Sequence, residues 1–267
     1  MFENGITTEI EAYILGFLYA DGFVTNKVEN KYYMTGITLK YDDHELLEEL
    51  TKYIPFKLHR GFAKIKDKSY EVIKAVYCNV KFTQQIIKLG IIPNKTYQND
   101  SSILDNISDE LRAHFIRGYF DGDGSIYLND KKYGVSFVSI NGKLLRKIKE
   151  ILDNICSANP NLLIENGKYY RLAYRGNCNV EKIFKYLYKD ATIKLSRKYD
   201  KFLKVHSKHY SNIRGITKYH NKYKVMFSHN GNKIYLGLFN DIDEAIKIRN
   251  QYFNENNLIR NEHAKTY

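Results

Sequence analysis

The 267-residue chain has no tryptophan and only 3 cysteines. Those cysteines form no CxxC pair and no even framework, which argues against a disulfide scaffold and against a cysteine-rich zinc site. No run of about 18 apolar residues occurs, so no membrane-spanning helix is expected. The opening MFENGITTEIEAY lacks the basic, apolar, small-residue order of a secretion signal. A soluble protein of the cytoplasm follows as the expectation. Acidic residues are short relative to basic ones: 30 Asp and Glu against 42 Lys and Arg give a net charge of +12. That balance favours a polyanionic partner over a small-molecule substrate. AT-rich coding accounts for part of the Lys, Asn, Ile and Tyr excess. What is present in quantity is apolar sequence, 43% of residues, enough for a substantial core.

The chain contains an internal duplication. ILGFLYADG at 14–22 is echoed by IRGYFDGDG at 116–124, an offset of 102 that pairs Gly16 with Gly118, Asp21 with Asp123 and Gly22 with Gly124. Downstream, GITL at 36–39 echoes GVSF at 134–137, and Leu46, Leu47 and Leu50 echo Leu144, Leu145 and Ile148, all at an offset of 98. Each copy opens with a helix signal. Thr8 followed by Glu11 is a capping box, and Ser108 precedes Asp109 and Glu110, acids suited to a helix N-terminus. Each helix is expected to end in a glycine C-cap. Strand-like sequence, a helix, two more strands and a closing helix follow, so each half reads αββαββα, an α+β unit.

Gly16 and Ala20, like Gly118 and Gly122, stand four apart and share a helix face. Small residues there allow two helices to approach backbone to backbone. If the two copies pack so, Asp21 and Asp123 meet at the helix ends, where two carboxylates require a cation between them. Magnesium, completed by phosphate and water, suits such a pair. With the basic charge, this pattern points to metal-assisted phosphodiester hydrolysis. A lone Asp-Gly after a helix is ordinarily a turn, but two matched copies are not explained that way. DGDGS is not a calcium loop, because the twelfth position from Asp121 is Lys132 rather than Glu.

The two segments resemble the paired motifs of LAGLIDADG homing endonucleases in their single-chain, two-motif form. The resemblance covers about residues 7–205, including the basic run YLYKDATIKLSRKYDKFL. It implies a pseudo-two-fold saddle of two four-stranded sheets on double-stranded DNA. It also implies a monomer that cuts both strands of a long, non-palindromic site with Mg²⁺ or Mn²⁺, in the service of intron homing as a mobile element. The metal acids would be Asp21 and Asp123, assisted by the carbonyls of Ala20 and Gly122. The sixth motif position is Tyr19 in one copy and Asp121 in the other, which implies an asymmetric site. Further active-site candidates on the sheets are Lys40, Asn79, Arg175 and Asn177. In RLAYRG, Arg171 and Arg175 alternate onto one face, with Leu172 and Tyr174 on the other. The alternatives are a nucleic-acid-binding protein without cleavage, such as an RNA maturase or transcription regulator, and an intein, which the start so near the first motif disfavours.

Residues 1–106 and 107–205 are read as the two halves, 206–211 as a linker and 212–267 as a small domain. In the last, KYKVMFS and KIYLGLF flank HNGN, whose Asn230-Gly231 is a type I′ turn candidate. Asp241 or Asp243 caps a helix with Ala245, Ile248 and Phe253 toward the sheet. YLGLF followed by DEA resembles the APETALA/ethylene-response-factor DNA-binding domain. That resemblance implies a three-stranded sheet docked in the major groove. Its candidate contacts are Arg214, Lys218, Lys222, Tyr223, Lys224 and Lys233.

Overall fold

A computed structural model describes residues 1–25, 33–93, 102–129, 132–140, 142–156, 163–165, 169–210, 215–256 and 258. The chain divides into two compact units, Met1–Leu203 and Lys204–Tyr267.

The first unit is a duplicated α+β structure. Its first half comprises α1 (Glu9–Asp21), β1 (Gly22–Thr25), β2 (Met34–Lys40), α2 (His44–Thr51), β3 (Lys57–Ile65), β4 (Lys68–Tyr77) and α3 (Val80–Lys88). The second repeats it as α4 (Asp109–Asp123), β5 (Gly124–Asn129), β6 (Lys132–Ser139), α5 (Gly142–Asp153), β7 (Leu163–Glu165), β8 (Tyr170–Arg175) and α6 (Asn177–Tyr188). Each half folds its strands into a four-stranded antiparallel sheet, in the orders β1-β2-β4-β3 and β5-β6-β8-β7.

The expected capping box forms at α1. Thr8 Oγ1 accepts the Glu11 amide, and the Glu11 carboxylate accepts the Thr8 and Thr7 hydroxyls and the Thr7 amide. Residues Ala12–Leu18 of α1 are all buried, as befits a helix surrounded by its own core. The expected glycines cap both helices, Gly22 donating its amide to the Leu18 carbonyl and Gly124 to that of Phe120, but without a left-handed turn. Gly22 (φ −76°) and Gly124 (φ −86°) are extended and begin β1 and β5 directly. Glycine is needed there for space instead. A Cβ on Gly22 would lie 2.5 Å from the Leu18 carbonyl oxygen, and one on Gly124 would lie 2.2 Å from the Phe120 ring.

Strand pairing also corrects the downstream repeat offset. Gly22 faces Ile37 and Gly124 faces Phe137, so β2 and β6 correspond at an offset of 100. The buried leucines of α2 and α5 keep the offset of 98. The 3₁₀ turn Tyr41–Asp43, which precedes α2, absorbs the two-residue difference. Because strand side chains alternate with period two, the inward and outward assignments survive this shift.

α7 (Ser196–Tyr210) follows α6, and the division between units falls within it. Residues 206–210, expected as linker, are therefore helical. No Gly or Pro occurs between Ser196 and Asn212 to stop the helix.

The second unit has β9 (Ile216–Tyr219), β10 (Lys222–His229), β11 (Asn232–Phe239) and α8 (Ile242–Glu255), with sheet order β11-β10-β9. Asn230 (φ 49°) and Gly231 (φ 80°) both take the left-handed conformation that the type I′ hairpin requires. Asp241 caps α8 by accepting the Glu244 amide. Ile216, Val225, Phe227, Ala245 and Phe253 form the core, with Ile246 packed against it. Ile248 is absent from that cluster. Arg249 takes the inward slot instead, its guanidinium 4.0 Å from the Phe253 ring centroid.

Candidate active site

The axis of the first unit is the contact between α1 and α4. A Cβ added to Gly16 would lie 2.0 Å from the Phe115 carbonyl oxygen, and one added to Gly118 would lie 2.0 Å from that of Tyr13. Tyr13 and Phe115 are themselves related by the repeat offset, so the contact is two-fold in residue identity as well as place. Further along, a Cβ on Gly122 would fall 2.3 Å from Ala20 Cβ. All four small residues expected at the helix interface are there.

Asp21 and Asp123 are the last residues of α1 and α4. The same hypothetical Cβ on Gly122 lies 3.2 Å from Asp21 Oδ2, which places the Asp21 carboxylate against the backbone just before Asp123. Among the described residues no cluster of three or more His, Cys, Asp or Glu gathers. The donor set is two carboxylates with the carbonyls before them, hard oxygens that fit a magnesium-like ion sharing phosphate and water.

A third charge enters from α7. The Lys198 ammonium donates to the carbonyl oxygens of Phe120 (2.6 Å), Asp121 (2.7 Å) and Gly122 (3.0 Å). Burial lowers its pKa to about 8, against the opposing pull of Asp121, Asp21 and Asp123. Within the basic run of the sequence, Lys198 reads as one phosphate-tracking cation among several. Its spacing to Leu195 and Phe202, both buried, marks it as inward-facing.

Asp121 serves a different end from Asp21 and Asp123. It is 1% exposed and accepts from the Tyr13 hydroxyl (2.9 Å), the Tyr188 hydroxyl (2.6 Å) and the Leu195 amide (2.8 Å). Burial pushes its carboxyl above the usual range, against those hydrogen bonds and the Lys198 charge. Its counterpart Tyr19 instead sets its ring against Phe115 and Tyr119. One turn before Asp121, the fully buried Arg117 donates to the carbonyls of Ile193 and Leu187 and pairs with Glu9 Oε1 at 2.6 Å. Glu9 in turn accepts the amide and hydroxyl of Thr192. Asp121 and the Arg117–Glu9 pair thus fix residues 187–195, which lead into α7 and deliver Lys198.

The sheets carry the other candidates. In the first half, Thr35, Ile37, Ile73 and Ala75 are buried beneath the helices, and Thr35 bonds Thr83 of α3. Gly36, Thr38, Lys40, Val72, Lys74 and Val76 take the opposite face by alternation. Lys40 therefore lies on the outer face, its ammonium 5.6 Å from the Tyr70 ring centroid. In the second half Leu172 and Tyr174 are buried, while Arg171 and Arg175 are exposed on the outer face, as expected. Asn79 and Asn177 each have their side-chain oxygen engaged by a nearby backbone amide. The Asn79 side chain caps α3 by accepting the Phe82 amide, and that of Asn177 accepts the Tyr133 amide.

In the second unit Lys222 and Lys233 are exposed and Lys224 is half-buried. Lys224 lies 5.7 Å from the Tyr219 ring centroid. Tyr223 points the other way and packs on the core that faces α8, because alternation puts it opposite Lys222 and Lys224. Lys218 pairs with Tyr223 in register and is exposed at the end of that inner face. Arg214 lies outside the described residues.

Family comparison matches residues 110–188 to a LAGLIDADG-like domain and residues 10–88 to a WhiA LAGLIDADG-like domain. The chain carries two LAGLIDADG-like domains. Solved structures agree in fold. The homing endonuclease I-WcaI bound to its DNA recognition sequence matches with a TM-score of 0.55 at 12% identity, over 72% of this chain and 86% of that one. A point mutant of I-SmaMI matches with a TM-score of 0.52 at 11% identity, over 77% and 93%. At such identities the likeness is one of fold. Both LAGLIDADG-like domains contain their motif aspartate, Asp21 or Asp123, whereas Lys198 lies beyond the end of the second. Among the described residues no helix is long and apolar enough to cross a membrane.

Proposed function

We propose that this LAGLIDADG protein is a site-specific double-strand DNA endonuclease with a long, non-palindromic target. The observation that carries this reading is the close contact of α1 and α4, which sets Asp21 and Asp123 at adjacent helix ends beside two sheets with basic outer faces. A magnesium or manganese ion would be held by Asp21 and Asp123 with the carbonyls of Ala20 and Gly122. Bound there, it would lower the pKa of attacking water and offset charge on the leaving oxygen. The chain's own residues do the remaining work. Lys198 brings positive charge to the C-terminal end of α4, where carbonyl dipoles and Asp123 concentrate negative charge. Lys40, Arg171 and Arg175 engage DNA from the sheets. The second unit resembles an APETALA/ethylene-response-factor domain and would add affinity through Lys222, Lys224 and Lys233, with Lys218 at its margin.

The test is linearisation of plasmids carrying fragments of candidate host or phage genomes, with Mg²⁺ and with EDTA. Asp21→Asn and Asp123→Asn should each lower double-strand cutting by at least about a hundredfold, while leaving a gel shift on the same DNA largely intact. Full cutting by either variant would overturn the assignment. Binding without cleavage is the second reading. It is favoured by one feature, the Lys198 ammonium already bonded to the Gly122 carbonyl that a metal would use. A gel shift with no nicking in Mg²⁺ or Mn²⁺ would select it.

A further inference from the structure

Strand pairing from the helix ends sets the two outer sheet faces in correspondence. Gly36 corresponds to Ser136, Thr38 to Val138, Val76 to Ala173 and Lys74 to Arg171. The side chains at these positions differ in kind. In the first half the Phe23 ring fills the space over Gly36, where a Cβ would fall 2.5 Å from it, and Lys74 rests 5.1 Å from the same ring centroid. Across Gly36 from Phe23 stands Val76. In the second half a hydroxyl pair, Ser125 with Ser136 at 3.0 Å, replaces the ring, and small Ala173 replaces the valine. Arg171 and Arg175 flank that small residue, both exposed. Neither guanidinium makes a hydrogen bond or ion pair with any described side chain.

Building on the endonuclease reading, we infer that the second half reads its arm of the target at two guanines, through Arg171 and Arg175, a pair the corresponding Phe23–Lys74–Val76 positions of the first half do not reproduce. A guanidinium fork matches the O6 and N7 acceptors of guanine in the major groove. An exposed fork with no partner among the described side chains keeps that bidentate capacity. At the corresponding place in the first half the Phe23 ring suits contact with a thymine methyl, and Lys74 lies against that ring rather than presenting a two-pronged fork. Arg171 and Arg175 stand four residues apart on β8, about 13 Å, or roughly four base-pair steps of B-DNA. The guanines should therefore be separated by that interval, in one arm only.

The test is enrichment of sites from a pool of randomised DNA duplexes by the full chain in EDTA, where cutting is suppressed. The wild type should enrich a site with two G·C pairs roughly four steps apart in one arm. Arg175→Gln and Arg171→Gln should each lower the guanine preference at one position by at least about fivefold and shift it toward adenine, which glutamine reads. Guanine kept at the second position reports a folded variant. Arg175→Lys should retain guanine more weakly. Wild-type guanine preference unchanged in both glutamine variants would overturn the inference. So would loss of all enrichment in the glutamine and lysine variants alike, which would make the arginines supports of the fold. If the wild type itself enriches no sequence, the DNA-reading proposal fails first, and this inference with it.

Discussion

The middle of the α1–α4 contact and its C-terminal end differ in how faithfully they keep the repeat. At the middle the two halves make the same contact twice, Gly16 on the Phe115 carbonyl and Gly118 on that of Tyr13. Three residues further on the copies part, Tyr19 meeting rings and Asp121 meeting two hydroxyls and an amide. Where backbones touch, only a hydrogen fits on either side, so both copies must carry glycine. Where side chains face neighbours that belong to one half alone, each copy answers to its own surroundings. Residues 187–195 are one such neighbour, and they turn the second motif into an anchor for α7.

The sharpest way to break the symmetric part is valine at Gly16 or Gly118. Either Cβ would overlap a carbonyl oxygen of the facing helix, and neither backbone can move without the other. Both variants should lose more than about 4 kcal/mol, seen in urea unfolding, and to similar extents. Tolerance of one and not the other would show that the two contacts are not equivalent. A smaller effect should expose the asymmetric part. Asp121→Ala strands the Tyr13 and Tyr188 hydroxyls and the Leu195 amide, and should cost about 3 kcal/mol. Tyr19→Ala should cost about half as much, since it removes ring contacts of a half-buried side chain. Equal losses would mean that the sixth motif position plays one part in both halves.

A last effect concerns pH. The native Lys198 pKa is near 8 and the unfolded value is 10.5, so between those values the unfolded chain binds the extra proton. Stability contributed by this group therefore rises with pH across that window, and falls as pH drops through 8. The difference in unfolding free energy between wild type and Lys198→Met should move in favour of the wild type from pH 8 to 10. A flat difference would show that Lys198 is less desolvated than its burial implies.

Much of the fold was legible because its signals are local. The Thr8–Glu11 box, the Asn230-Gly231 turn and the alternation in β8 each depend on residues close in sequence. The aspartate pair was legible because a duplication reveals two sites at once. What the sequence did not show shares a cause. Asn79 and Asn177 look like polar residues at strand ends, and only the neighbouring amides show that their oxygens are taken. Ile248 fits an apolar helix stripe, but the arginine stem at Arg249 claimed the inward slot. The glycines after each motif were legible as caps but not as extended strand starts, because the strand that follows leaves no trace in the motif itself.

By itself the sequence determined the duplication, the glycine-lined face of each motif helix and the two aspartates that end them, because each is a matter of residue type at fixed spacing. Only the tertiary structure decided that Asp121 is an anchor and that Lys198, 75 positions beyond Asp123, closes on the end of α4. Partners brought together by chain folding carry no spacing to read. Their roles follow from burial and hydrogen bonding, which exist only once the halves have packed.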